Sequence, residues 1–171
     1  MKMARIDYVT KEQATEKARD ILDKNNWRNI FRMLGHSGSH LHNYCRLGAA
    51  IRFKGELDPA LREIAITRTG ILCHADYEVI AHKRLAAEAG VSTEKIDALE
   101  KGAGAAAFTD IEKDVLRFTD DVVNNDRASD ETFNPLMKQL TPGALVELHL
   151  AIGFYIMTSK FLRTFDIDLQ N

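Results

Sequence analysis

Cysteine, proline and tryptophan are scarce in this 171-residue chain, which has two, three and one of them respectively. Two cysteines are too few for a disulfide framework in a chain of this length, and such usage is typical of a reducing compartment. The first residues lack the apolar segment of a signal peptide, and no apolar run is predicted to reach the length of a membrane span. We therefore expect a cytoplasmic protein.

The chain also lacks a strong charge of either sign. It has 23 lysines and arginines against 25 aspartates and glutamates, with a formal net charge of -2. Because the basic residues are scattered, the sequence predicts no nucleic-acid partner and no attraction to an anionic membrane. A chain of this length with 45% hydrophobic residues can bury one core. We predict one domain spanning residues 1–171.

Strand signals are missing as well, since no alternating apolar pattern occurs. Helix start signals instead precede stretches of 3.6-residue periodicity. These signals are Thr10 with Gln13, Ser39, Asp58 with Pro59, Ser92, Thr109 with Glu112, Ser129, and Thr141 with Pro142. The predicted helices cover residues 11–25, 27–34, 39–53, 59–74, 75–89, 110–123, 130–138 and 142–164, with a further helix after Ser92 and a loop from Gly102 to Gly104. The sequence therefore predicts an all-α helical bundle. The last helix is apolar on several faces, which indicates either a central core helix or a subunit interface.

One stretch is dense in titratable groups, the ten residues from Cys73 to His82. Glu78 and His82 are four residues apart and therefore share a helix face. Glu63 lies on the preceding predicted helix, so an antiparallel pairing of the two helices would bring it close to His82. We predict that these three groups converge.

The environment of these groups decides their chemistry. Enclosure by apolar residues such as Ile64, Ile66, Ile80 and Leu85 would raise the pKa of a carboxylate, whereas a nearby imidazolium would lower it. Either result suits proton transfer near neutral pH. The alternative is a solvated Glu–His ion pair without a catalytic role, which spacing alone leaves open.

Metal and thiol chemistry are the other readings of the same stretch. Glu78 and His82, with His74, could supply metal ligands, but no second motif completes a site, and we predict no metal. Cys73 is the candidate thiol. Asp76, three residues later, cannot form the disulfide of a Cys-x-x-Cys motif, so Cys73 is either a redox thiol or a small buried hydrophobe.

Three segments carry a family resemblance: FKGELDPALREIAITR (53–68), ADYEVIAH (75–82) and AAEAGVS (86–92). They resemble the carboxymuconolactone decarboxylase family and the related alkyl hydroperoxide reductase D (AhpD) proteins, over roughly residues 29–165. The peroxidase branch has a Glu, a Cys-x-x-Cys and a following His. Aligned on Glu63 and His82, that pattern places Ala75 and Glu78 at the two cysteine positions, so the sequence resembles the branch without the sulfurs.

The resemblance implies an all-α subunit that forms dimers, trimers or hexamers and works without cofactor or metal. It also implies a small lactone or related carboxylic acid as substrate. His82 would be the proton donor or shuttle, with Glu78 orienting it or acting as base, and Glu63 as a second relay. The expected substrate-binding residues are Arg68, Tyr77, Cys73 and His74. For Arg68, a surface or interface ion pair is the alternative.

Three functions follow as hypotheses. The first is a cofactor-free lyase or isomerase that uses Glu63, Glu78 and His82. The second is an alkylhydroperoxidase-like thiol protein that depends on Cys73. The third is a binding or assembly protein without chemistry, for which Glu78 and His82 would point into solvent.

Overall fold

The computed structural model describes residues 4–169, and within this range it is helical without a strand. The helices are α1 Glu16–Lys24, α2 Asn29–Leu34, α3 Gly38–Phe53, α4 Pro59–Leu72, α5 Asp76–Glu88, α6 Thr93–Ala98, α7 Asp110–Asn124, α8 Asp130–Met137 and α9 Pro142–Thr164, with a 3₁₀ helix at Leu99–Gly104. The predicted all-α class is confirmed.

Side-chain caps set several of these helix starts. The Asp58 carboxylate accepts hydrogen bonds from the first backbone amides of α4, and Pro59 occupies the first helical position. The Ser92 hydroxyl caps α6, and Thr109 with Glu112 forms a complete capping box on α7. The structure thus confirms the starts predicted from these residues.

Three local predictions are wrong. Ser39 is not the cap of α3, because that helix begins at Gly38 and already includes Ser39. The first helix begins at Glu16 instead of residue 11, because the Thr15 hydroxyl supplies the N-cap by accepting from the Ala18 amide. Thr10 and Gln13 do interact, but they close only a turn. The predicted loop at residues 102–104 forms the end of the 3₁₀ helix, interrupted by Gly102 with a φ of 62°.

Contacts divide the chain into two compact units. One contains residues 1–53 and 161–171, of which 4–53 and 161–169 are described, and its core includes Val9, Leu22 and Leu41. The other contains residues 54–160 and a larger core around Ile64 and Leu116. The prediction of a single domain stays a prediction.

The prediction that no apolar run reaches the length of a membrane span is wrong for helix α9, because its length and composition would suffice to cross a membrane. Half of its most apolar window is buried within the protein, however. Leu145, Leu148 and Ile152 belong to the core of the second unit. The helix is therefore weak evidence for a membrane span, since the core helix of a soluble protein has the same properties.

Candidate functional site

The site is built on the packing of α4 against α5. A Cβ on Gly70 of α4 would lie 3.2 Å from the Val79 Cγ2 and 3.3 Å from the Glu78 Cβ. Glycine at this position therefore lets the start of α5 approach α4. The link between the helices is short, and the Ala75 amide donates to the Gly70 carbonyl. This arrangement turns the Glu78 and His82 face of α5 toward α4.

Glu63, Glu78 and His82 meet in the interior of the second unit. The His82 Nδ1 lies 2.7 Å from a Glu63 carboxylate oxygen, and the His82 Nε2 lies 3.3 Å from a Glu78 carboxylate oxygen. The exposed fractions of the three residues are only 2%, 5% and 4%, respectively. The convergence predicted from spacing is therefore present, and the solvated ion pair is excluded by burial.

Burial is the largest influence on the pKa of Glu63 and of His82, and in both cases it opposes the charged form. The hydrogen bonds and opposite charges outweigh it. His82 and Arg62 hold the pKa of Glu63 below its ordinary value, whereas Glu63 and Glu78 raise the pKa of His82. Of the two effects expected on the pKa of Glu63, the lowering by the nearby imidazolium, together with Arg62, therefore outweighs the raising by burial.

The two carboxylates are held differently. Both Glu63 oxygens have partners, since Oε2 contacts His82 and Oε1 accepts from the Arg62 Nε at 3.2 Å. Glu78 contacts His82 at the longer distance of 3.3 Å. Glu63 is thus placed to fix the imidazole ring through Nδ1, and the proton on Nε2 is the one shared with Glu78. The catalytic roles of the two glutamates stay predictions.

Tyr155 of α9 completes the surroundings of His82. The two rings are 4.6 Å apart between centroids at an interplanar angle of 79°, an edge-to-face arrangement. Tyr155 is buried, with 5% exposed. The sequence reasoning missed this residue. The available signal was that Tyr155 is a polar aromatic within the most apolar predicted helix.

The other predicted site residues lie around the helix link or elsewhere. Cys73 is the C-cap residue of α4, and Tyr77 lies in the first turn of α5, both partly buried. His74 is exposed, with a φ of 54°. Its exposure separates His74 from the buried cluster. The roles of these three residues in substrate binding stay predictions.

Arg68 is engaged on the far side of α4. Its guanidinium forms a bidentate pair with Asp120, at 2.6 and 2.9 Å. Its Nη1 donates to the carbonyls of Leu99 and Glu100, each at 2.9 Å. The expected alternative for Arg68 is a surface or interface ion pair, whereas Arg68 itself is buried within the second unit. A role of Arg68 in substrate binding stays a prediction.

Metal binding has no support from the arrangement of ligands. Across residues 4–169, no group of three or more His, Cys, Asp or Glu side chains is placed to hold a metal ion. Within the cluster, His82 uses both ring nitrogens toward carboxylates. The site residues are arranged for proton transfer between nitrogen and oxygen.

The Glu63–His82 pair predicts a pH dependence of stability. Because the folded pKa of His82 is raised from 6.5, its contribution is complete below that value and is lost as the pH rises through the raised pKa. The contribution of Glu63, whose pKa is lowered from 4.5, is present above that value and is lost as the pH falls through the lowered pKa. We expect the melting temperature to fall by a few degrees as the pH rises from below 6.5 through the raised pKa of His82.

Differential scanning calorimetry of the wild type and His82→Asn checks this expectation. Asparagine cannot carry the imidazolium charge, so the alkaline loss should be smaller in the variant. Equal losses in both proteins would show that other groups cause the pH dependence.

Comparisons with known proteins agree with this architecture. Residues 39–121 match the sequence model of the carboxymuconolactone decarboxylase family. An alkylhydroperoxidase AhpD core protein from Ralstonia eutropha, described as peroxidase-related, has a similar structure, with a TM-score of 0.86 and 16% identity over 100% of this chain and 94% of that chain. A putative antioxidant defence protein AhpD from Agrobacterium tumefaciens has a TM-score of 0.73 and 18% identity over 81% and 96%.

A third similar structure is the debrominase Bmp8 in complex with 2,3,4-tribromopyrrole, with a TM-score of 0.80 and 15% identity over 98% of this chain and 94% of that chain. No curated protein sequence matches the chain. These likenesses show that the chain has an all-α fold of the AhpD-like type. The family match is confined to residues 39–121, and the solved structures share the fold of this chain.

Proposed function

We propose that this protein is a cofactor-free lyase of the carboxymuconolactone decarboxylase type, acting on a small unsaturated lactone or related carboxylic acid. The observation that carries the proposal is the buried imidazole of His82, held at 2.7 Å by Glu63 and facing Glu78 at 3.3 Å. A charge that is preorganised in a dry site is more effective than the same charge in water. The arrangement suits one proton transfer to carbon.

The three cluster residues account for the protons that move in the proposed reaction. When the carbon–carboxylate bond breaks, carbon dioxide leaves and the bonding electron pair delocalises through the double bond onto the lactone carbonyl. The His82 Nε2 then donates its proton to carbon, and Glu78 accepts a proton from solvent and returns it to His82. The Nδ1 proton stays on His82 and is donated in a hydrogen bond to Glu63, which maintains the orientation of the ring. Glu63 is accordingly a positioning residue.

The thiol alternative has weaker support. The resemblance, aligned on Glu63 and His82, places Ala75 and Glu78 at the two positions of the peroxidase sulfurs. Cys73 lies at the C-terminal end of α4, whereas the helix dipole lowers the pKa of thiols at helix N-termini. Burial raises the pKa of the Cys45 thiol to about 11, so Cys45 stays protonated near neutral pH. Loss of hydroperoxide reduction in a Cys73→Ser variant would support this alternative instead.

The proposed roles of the two glutamates are tested with 4-carboxymuconolactone as substrate, by following carbon dioxide release and enol-lactone formation. We expect Glu78→Gln to lower kcat about tenfold or more, because the amide cannot return a proton to His82. Its melting temperature should fall less than that of Glu63→Gln, since the shorter Glu63 contact remains. Glu63→Gln should lower both activity and melting temperature, because the amide removes a buried charge partner of His82.

Glu88→Gln is the matched control, because Glu88 is an exposed glutamate on the same helix as Glu78. Its carboxylate pairs with Arg84 at 3.1 Å. The substitution should leave kcat unchanged. Wild-type protein that consumes neither 4-carboxymuconolactone nor other unsaturated lactone acids would contradict the proposed function. Homo-oligomerisation and cytoplasmic location stay predictions.

A further inference from the structure

Ser159 of α9 has a hydroxyl that the proton-transfer cluster does not use. The residue is fully buried, and among the described residues its Oγ has no hydrogen-bond partner. Other buried hydroxyls on the helices behave differently. Thr67, Thr119 and Thr158 each donate to the carbonyl four residues earlier, at 2.7, 2.7 and 2.9 Å. Ser159 is therefore an exception that requires an explanation.

An unpaired buried hydroxyl is unfavourable. It loses its hydrogen bonds to water on folding, and no protein partner replaces them. A bound molecule with an acceptor oxygen would recover this loss. The groups that lie near Ser159 indicate which molecule this would be.

Ser159 shares a face of α9 with Tyr155, the residue that contacts His82. Leu148, Ile152, Tyr155 and Ser159 follow one another at spacings of four, three and four residues, and all four are buried. They therefore form one inward stripe of the helix. This stripe changes from aliphatic side chains to hydroxyl-bearing ones where Tyr155 meets His82. Ser159 lies one helical turn beyond, with a Cβ separation from Tyr155 of about 5–6 Å.

We propose that the Ser159 hydroxyl binds the lactone carbonyl oxygen of the substrate. The inference rests on the proposed function and adds a binding residue to it. When carbon dioxide leaves, the electron pair moves onto this oxygen, and the hydrogen bond from Ser159 strengthens as the negative charge develops. Carbon then takes the proton of His82, and the carbonyl re-forms. A neutral donor in a dry site suits this role.

The test uses Ser159→Ala and the saturated probe γ-butyrolactone-γ-carboxylate, which has the lactone carbonyl but no double bond to accept the electron pair. Calorimetric titration should show binding at least about tenfold weaker in the variant. The melting temperature of the ligand-free variant should be equal to or higher than that of wild type, because the substitution removes an unpaired buried hydroxyl. With 4-carboxymuconolactone, kcat/KM should fall by at least the same factor.

Thr119→Val is the matched control, since it removes a buried helical hydroxyl that already has a partner. It should lower the melting temperature and leave probe binding unchanged. Equal probe binding by wild type and Ser159→Ala, a lowered melting temperature of Ser159→Ala, or no probe binding by wild type would each overturn the inference. Ser159-dependent probe binding without turnover of 4-carboxymuconolactone would refute the proposed lyase and retain the binding role.

Discussion

We expect the His82→Ala variant to convert its lactone substrate at least about a hundredfold more slowly than wild type, a loss of about 2.7 kcal/mol of transition-state stabilisation. His82 is the one group of the cluster that contacts both carboxylates. Its removal leaves no acid positioned to protonate carbon. Single-turnover kinetics with 4-carboxymuconolactone measure the chemical step directly, and a reaction in heavy water should place deuterium on the protonated carbon.

His149→Ala is the control for this variant. His149 is an exposed imidazole in the same unit, whose ring stacks at 6.3 Å from Phe118. Its removal should leave the rate unchanged. Circular dichroism and gel filtration establish that both variants keep the fold. A folded His82→Ala protein with wild-type turnover would end the proposed role of the imidazole.

Much of the site could be predicted because it depends on local spacing. Glu78 and His82 share a face at any position in an α-helix, and Glu63 approaches them once two consecutive helices pack side by side. Capping residues likewise set helix starts through interactions within one turn, as at Asp58 and Thr109. These features need no knowledge of the distant parts of the chain.

Features that depend on tertiary packing could not be predicted in the same way. Tyr155 and Ser159 reach the interior only because of how α9 packs, and Arg68 finds Asp120 from 52 residues away. Ile80 illustrates the converse error. It was expected to enclose the cluster, but it is 57% exposed, because it lies about 200° around α5 from both Glu78 and His82.

We expect Arg68→Met to destabilise the protein by about 3 kcal/mol. The side chain satisfies the Asp120 carboxylate and the carbonyls of Leu99 and Glu100. Methionine preserves the packed volume but leaves these acceptors without their donor. Lysine should rescue little, because an ammonium cannot reproduce the planar fork. Chemical denaturation measures the loss of unfolding free energy.

Gly102 packs closely against the Arg68 side chain, so a residue with a Cβ does not fit at this position without a shift. A Cβ on Gly102 would lie 2.9 Å from an Arg68 guanidinium nitrogen, and the backbone there has a φ of 62°. The 3₁₀ helix therefore closes tightly over the guanidinium.

The matched control for Arg68→Met is Arg84→Met, which removes an exposed pair with Glu88 and should cost about 0.5 kcal/mol or less.

A double-mutant cycle of Arg68→Met with Asp120→Leu separates the structural role of Arg68 from the substrate-binding role expected from the sequence. If the pair holds α4 against α7, the double variant should be more stable than the sum of the single losses predicts. Its KM should also stay near the wild-type value. A raised KM with unchanged unfolding free energy would instead return Arg68 to the substrate. We expect the first result because the guanidinium already has four protein contacts.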